Sequence, residues 1–191
     1  MLLKLLSIDD SVLLSINYFA NSSVALQKIF IVTGVYLIYS VPIILVILWF
    51  FQEETKKIVL RATLSGIVAW MGVAAILGKM INRPRPFESV PVQELFFHRP
   101  DYSFPSDHAS FLFAIAFSLW FSGYKKIATI ALIIAVIISV SRVAIGVHYP
   151  SDIIGGALIG FIIAWLIKVL DKPLDYFYNF VIGLARKIRL A

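Results

Sequence analysis

Two histidines, one aspartate and two arginines stand out in this chain because apolar sequence surrounds them. His148 and Asp152 lie four residues apart in the stretch SRVAIGVHYPSD, 141–152, which also carries Arg142. At a turn leading into a helix, that spacing lets the carboxylate accept a hydrogen bond from one imidazole nitrogen. The tautomer is then fixed and the other nitrogen is left free to attack. His108, in the separate stretch FPSDH, 104–108, can act as acid to a departing oxygen. Arg85 and Arg142 offer planar donor forks that match phosphate oxygens. Ser106 follows Pro105 where a helix can start, and the free N–H groups of such a first turn favour an anion. These residue types describe phosphoryl transfer through a phosphohistidine, with arginines neutralising the charge. A divalent-metal site built from Asp107, His108, His148 and Asp152 is the rival. Arg85 and Arg142 would repel the cation there, and no compact ligand pair such as H-E-x-x-H occurs. The expectation is therefore catalysis with no metal and no other cofactor.

The composition decides what positions these groups. Of 191 residues, 60% are hydrophobic and 15% charged, against about 45–50% and about 25% in a soluble domain. The excess makes lipid the expected solvent. The absence of cysteine excludes disulfides, thiolate metal sites and thiol catalysis. A net charge of +6 reads as anchoring to anionic lipid and not as nucleic-acid binding. Asp9 and Asp10 interrupt the first apolar stretch, and no small-residue cleavage site follows, so a signal peptide is not expected.

A membrane span needs about 20 mainly apolar residues. Five runs qualify: 35–51, with an extension back to 24 as a tilted or broken helix, then 58–81, 106–121, 127–147 and 152–170. The third is short. In the fifth, Gly156 and Gly160 form a small-xxx-small spacing that permits close helix packing. If five spans alternate, Lys56, Lys57, Arg61, Lys125, Lys126, Lys168 and Lys172 fall on one side, which the positive-inside rule makes cytoplasmic. The stretches 82–105 and 146–151 then face outward together. Arg83, Arg85 and Arg99 run against that charge bias and need another role.

Leu174, Phe177, Val181, Leu184 and Ile188 recur at helical spacing beside Arg186, Lys187 and Arg189, which suits a helix on the inner surface; a sixth span is the alternative. Leu13, Leu14, Ile16 and Phe19 behind Asp9, Asp10 and Ser11 read as a capped amphipathic helix. The expected fold is all-α: one polytopic membrane bundle over residues 1–191, with five to six transmembrane helices, amphipathic interfacial helices and an active site at the extracytoplasmic face.

Three stretches resemble the signatures of the type 2 phosphatidic acid phosphatase family, which includes lipid phosphate phosphatases. They are RP at Arg85–Pro86, PSDH at Pro105–His108 and SRVAIGVHYPSD. The family pattern is K-x6-RP, P-S-G-H and S-R-x5-H-x3-D. The third signature matches in full at Ser141, Arg142, His148 and Asp152, and the second carries Asp107 where glycine is usual. In the first, Lys79 stands six positions before Arg85 instead of seven, Gly78 holds the expected place, and Arg83 is the substitute cation.

The resemblance implies His148 as nucleophile, Asp152 as its orienter and His108 as general acid. Arg85, Ser106 and Arg142 would hold the phosphate, with Lys79 or Arg83 as a further phosphate ligand and no metal. Within the family, the chain's length, PSDH and VHYPSD are most similar to bacterial undecaprenyl-diphosphatases of the bacitracin-resistance type. That similarity implies hydrolysis of undecaprenyl diphosphate to undecaprenyl phosphate in recycling of the cell-wall lipid carrier. The implied partners are a polyprenyl diphosphate or other lipid phosphate and membrane lipids, not nucleic acid. The implied place is the bacterial plasma membrane, with the site outward and the C-terminus cytoplasmic. Phosphatidylglycerophosphate, phosphatidate or another lipid phosphate is the alternative substrate, and a non-enzymatic head-group-binding protein the second alternative. His98, in FFHRPDYSF, reads as a loop residue at the site mouth, with Phe96, Phe97 and Tyr102 dipping into the lipid interface.

Overall fold

The structure, a computed structural model, describes residues 2–188, with side chains described from Ser7 onward. Arg189, part of the C-terminal basic cluster, lies outside the described residues. Every regular element among them is helical. Helix α1 (Leu2–Asn21) turns through Ser22 and Ser23 into a long rod made of α2 (Val24–Ile31), a π-helical turn at Val32–Tyr36, a 3₁₀ turn at Leu37–Tyr39 and α3 (Ser40–Phe51). A second rod comprises α4 (Glu53–Ile67), a π-helical stretch at Val68–Ala74 and α5 (Ala75–Ile81), ended by Asn82 in the left-handed region at φ 48°. The short α6 (Pro86–Ser89) and an irregular loop lead to α7 (Asp107–Phe121), followed by α8 (Lys125–Ala144), α9 (Pro150–Val169) and α10 (Asp171–Lys187).

Four stretches are long and apolar enough to cross a membrane: Val24–Phe51, Glu53–Ser89, Lys125–Ala144 and Pro150–Val169. Their outward side chains, such as Ile43, Ile47, Ile130, Ile154 and Leu158, are exposed large apolar groups of the kind that face lipid. The fifth expected span, α7, has only 15 residues. It is the hub of the bundle, burying Leu112, Phe113, Ile115 and Leu119 against α3, α4 and α8. Its fit to α9 needs the two glycines of the small-xxx-small spacing. A Cβ at Gly156 would come 2.8 Å from Ser106 O and from Ala109 Cβ, and one at Gly160 would come 2.7 Å from Ala114 N.

The first rod is broken as expected, and the break has a cause. Gly34 in the π turn abuts Ser141 on α8, where a Cβ would sit 3.1 Å from the Ser141 Cβ, and Thr33 and Ser141 hydroxyls are bonded at 2.7 Å. The π turn lets this backbone approach α8 closely.

Two expectations need correction. Asp9, Asp10 and Ser11 do not start α1: the helix runs through them from Leu2, and the Asp9 side chain turns inward to bury itself at 8% exposure. Its partners lie on other segments, which a local capping pattern does not reveal. The sixth-span alternative also fails, because α10 is not among the stretches apolar enough to cross a membrane. It is amphipathic, burying Tyr178 and Ile182 while Tyr176 and Phe180 stay exposed, and ion pairs pin it to α4. Lys57 meets Asp175 at 3.1 Å and Arg186 meets Glu53 at 2.7 Å. These basic residues lie at one end of the bundle. The end of α5, the start of α7, the end of α8 and the start of α9 meet at the other.

Candidate active site

Val147, His148 and Tyr149 form the turn between α8 and α9 and are buried completely or nearly so. His148 Nδ1 lies 3.0 Å from the carbonyl oxygen of Ser103. A carbonyl can only accept, so the proton sits on Nδ1 and the lone pair on Nε2. Nε2 faces Arg85, with one guanidinium nitrogen 3.4 Å away. Burial first, and then the charges of Arg85 and Arg142, hold His148 well below the ordinary histidine range. The imidazole is thus neutral at pH 7, with its free nitrogen turned toward the Arg85 guanidinium.

The spacing predicts that Asp152 fixes this tautomer, and the structure divides that role. Asp152 Oδ2 stands 3.5 Å from Nδ1, longer than a good hydrogen bond, and accepts from the Tyr149 backbone N–H at 2.8 Å. The orienting bond goes to Ser103 O, a main-chain group that leaves no mark on residue types. Asp152 contributes a fully buried negative charge beside the ring. Its Oδ1 accepts from Arg83 at 2.8 Å.

Arg85 is buried where α6 begins. Its Nε donates to Asp101 at 2.5 Å and its NH1 to Val147 O at 2.8 Å. Arg142 ends α8 with 3% exposure. One nitrogen reaches Gly34 O at 3.4 Å, while Nε and NH2 have no hydrogen-bond partner among the described residues. Two charged donors buried without acceptors are costly, at about 1–3 kcal/mol or more each. Residues kept in that state are suited to receive an anion. Ser106 caps α7: its hydroxyl oxygen accepts from Ala109 N at 3.4 Å, and its own N–H donates to Asp152 O at 3.1 Å. That last bond ties the first turns of α7 and α9 together. His108 sits half-buried in the first turn of α7, with Arg142, His148, His98 and Arg85 as its charged or titratable neighbours.

His148, His108, Asp152, Arg85, Ser106 and Arg142 therefore converge. Lys79 and Arg83 are placed differently. Lys79 is exposed in the last turn of α5. The adjacent Gly78 lies under the Tyr102 ring, where a Cβ would come 2.2 Å from ring carbons, so a lysine there would displace Tyr102. Tyr102 thus packs inward instead of dipping into lipid. Arg83 bridges Asp152 and Asp9, donating at 2.8 Å to each, and stacks 3.6 Å over the Tyr149 ring. Asp107 has one buried carboxylate oxygen with no hydrogen-bond partner among the described residues. Among the described residues, no group of three or more His, Asp or Glu side chains is arranged to hold a metal ion. The sequence reading missed Asp101, Ser103 and the inward turn of Asp9. Only Asp9 carried a signal, as a carboxylate interrupting an apolar run.

The PAP2 superfamily matches residues 55–174. A protein of Bacillus licheniformis named bacitracin transport permease protein BcrC is 32% identical over 155 residues, covering 80% of this chain and 75% of its own. The undecaprenyl-diphosphatase BcrC of Bacillus subtilis is 29% identical over 175 residues, covering 91% and 90%. Among solved structures, LpxE of Aquifex aeolicus superposes with a TM-score of 0.68 at 26% identity, covering 82% of this chain and 92% of that one. A PAP2-type phosphatidylglycerolphosphate phosphatase of B. subtilis shares the fold with a TM-score of 0.61 at 22% identity, covering 90% and 88%. Signatures, helical architecture and matches agree, and this chain belongs to the PAP2 superfamily.

Proposed function

We propose that this protein is a membrane phosphatase that hydrolyses undecaprenyl diphosphate to undecaprenyl phosphate through a phosphohistidine. The observation that carries the reading is the pairing of a neutral His148 with the buried, unsaturated Arg142 and with Arg85. His148 Nε2 attacks the terminal phosphorus and the bond to the bridging oxygen breaks. His108 protonates that oxygen as undecaprenyl phosphate leaves. Arg85 and Arg142 hold the phosphoryl oxygens through the in-line transfer, taking the part a metal plays elsewhere. The Asp152 carboxylate stabilises the positive charge that develops on the His148 ring. Water then attacks the phosphorus, giving a proton to His108 as base, and the N–P bond breaks, releasing orthophosphate and restoring the imidazole.

The B. subtilis BcrC named above favours the diphosphate, as does a putative undecaprenyl-diphosphatase of Escherichia coli, YbjG, at 35% identity over 133 residues. A second reading keeps the chemistry and changes the lipid: the phosphatidylglycerophosphatase B of B. subtilis is 34% identical over 112 residues. A non-enzymatic head-group binder is disfavoured by the tautomer-fixed His148, which binding alone does not require. The lysine-bearing end of the bundle is the proposed cytoplasmic end, and in that orientation the site and its substrate lie at the outer face of the bacterial plasma membrane. The test is phosphate release by purified protein in detergent, with undecaprenyl diphosphate and phosphatidylglycerophosphate side by side and EDTA present. Faster release from the diphosphate is expected. A preference for phosphatidylglycerophosphate would install the second reading, and no release from either lipid would leave head-group binding.

A further inference from the structure

Helix α1 lies outside residues 55–174, the part that the superfamily matches, yet it reaches the catalytic end with a buried carboxylate. Asp9 Oδ2 accepts from Arg83 at 2.8 Å and from the Ser151 hydroxyl at 2.5 Å, and Asp9 Oδ1 accepts from the Ser151 backbone N–H at 2.9 Å. The Ser151 N–H belongs to the first turn of α9, whose N–H groups have no partner within their own helix. Asp9 therefore caps α9 from another segment, and its negative charge suits that helix end. Arg83 is held at both prongs of its fork. One nitrogen donates to Asp9 and the other to Asp152 Oδ1 and to the Ser151 hydroxyl. Eight residues further along, Asn17 fixes α1 separately, donating to Gln93 O and Ala144 O and accepting from Gln93 N.

We propose that Asp9 is a positioning residue for catalysis. It shares Arg83 with Asp152 and holds the start of α9, so that Asp152 keeps its place beside His148. The proposal rests on the phosphatase reading above. Its physical content is a division of one cation between two carboxylates. With Asp9 in place, Arg83 is shared between the two carboxylates and is not drawn into an exclusive pair with Asp152. With Asp9 neutral, Arg83 becomes the partner of Asp152 alone, and the carboxylate offers less to the positive charge that develops on His148 only during transfer. An interaction made in the transition state lowers kcat when it is lost and leaves KM in place.

The test is a set of variants read by steady-state kinetics on the lipid phosphate that the wild type turns over best, and by thermal midpoint in detergent. Asp9→Asn should lower kcat about tenfold with KM within about twofold, the scale of lost outer-shell support. In an Arg83→Lys background the same change should cost much less, because the shared cation is already altered. Asn17→Ala, which loosens α1 without touching the Asp9 contacts, should lower the thermal midpoint and spare kcat. If Asp9→Asn does not survive purification, Asp9→Glu carries the test: it keeps the charge on a longer arm and should lower kcat by about threefold. A full-rate Asp9 variant, an undiminished effect in the Arg83→Lys background, or equal kcat losses for Asp9→Asn and Asn17→Ala would each overturn the positioning role alone. A wild type that releases phosphate from no lipid overturns the phosphatase reading and takes this one with it.

Discussion

Two buried arginines at opposite ends of the bundle make an instructive pair. Arg61, in α4 at the lysine-bearing end, is 8% exposed, and Arg142, in α8 at the other, is 3% exposed. Arg61 donates through Nε and NH2 to the two oxygens of Asp171, at 2.7 and 2.6 Å, and through NH1 to the Ser122 hydroxyl at 2.7 Å. All three guanidinium nitrogens are engaged, and the result joins α4, the end of α7 and the start of α10. Arg142 has one long bond to a carbonyl and two nitrogens without partners among the described residues. Similar burial thus serves two ends. A saturated arginine holds helices together, whereas an unsaturated one holds binding capacity at the expense of stability.

The largest expected effect lies with His148, the proposed nucleophile. His148→Ala removes the covalent route and should abolish measurable turnover on every lipid phosphate, while the purified protein still melts cooperatively; residual turnover above a hundredth of wild type would rule out the phosphohistidine. Next comes the arginine contrast itself. Arg142→Ala should lower kcat/KM by about 10²–10³-fold, in line with loss of one preorganised charge donor, and leave the thermal midpoint unchanged or raised. Arg61→Ala should do the reverse, costing about 1–3 kcal/mol of stability with kcat little altered. Equal behaviour of the two variants in both assays would break the comparison.

A smaller effect separates substrates at His108. Loss of a general acid is worth about 10²–10⁴-fold, and the deficit of His108→Ala should be larger on a lipid monophosphate, which expels an alkoxide, than on a diphosphate, which expels a phosphate. Equal deficits on both would remove His108 from the acid role. The pH profile sharpens the same point. His148 is held below the ordinary histidine value of about 6.5, and its protonation would remove the proposed nucleophile. The acid limb of kcat/KM should therefore appear only below about pH 6.5. Stability should fall over the same acid range, because the unfolded chain binds the proton that the buried ring refuses. The smallest expected effect is that of EDTA, which should change turnover by less than twofold if the arginines supply the positive charge; loss restored by one divalent ion would return the metal rival.

Much of this was readable in the sequence because helices in lipid announce themselves by length and hydropathy. Five apolar runs and the amphipathic α10 follow from local pattern alone, and the Gly156–Gly160 spacing foretold a close helix contact. The convergence of His108, Arg142 and His148 follows once alternating spans carry them to one end. What local pattern could not carry were pairings between distant segments. Ser151 meets Asp9 across 142 positions, and nothing in either neighbourhood encodes the other. The orienting bond of His148 ends on a main-chain carbonyl, which every residue owns. The displaced lysine of the first signature became intelligible only when Tyr102 was found over Gly78.

The glycine contact between α7 and α9 has a mechanical consequence. His108 stands in the first turn of one helix and Asp152 in the first turn of the other, and the two backbones touch along Gly156 and Gly160 with Ser106 bonded to Asp152 at the top. No side-chain layer lies between them to be compressed or sheared. When the bilayer thins or stretches, the parts expected to yield are the rod Val24–Phe51, with its π and 3₁₀ turns, and the lipid-facing surfaces of the other spans. His108 and Asp152 should then move as one stiff body, which would insulate their separation from membrane tension. Turnover measured in bilayers of increasing acyl length should stay nearly flat for the wild type, and Gly160→Ala, by wedging a methyl into that seam, should make it thickness-dependent.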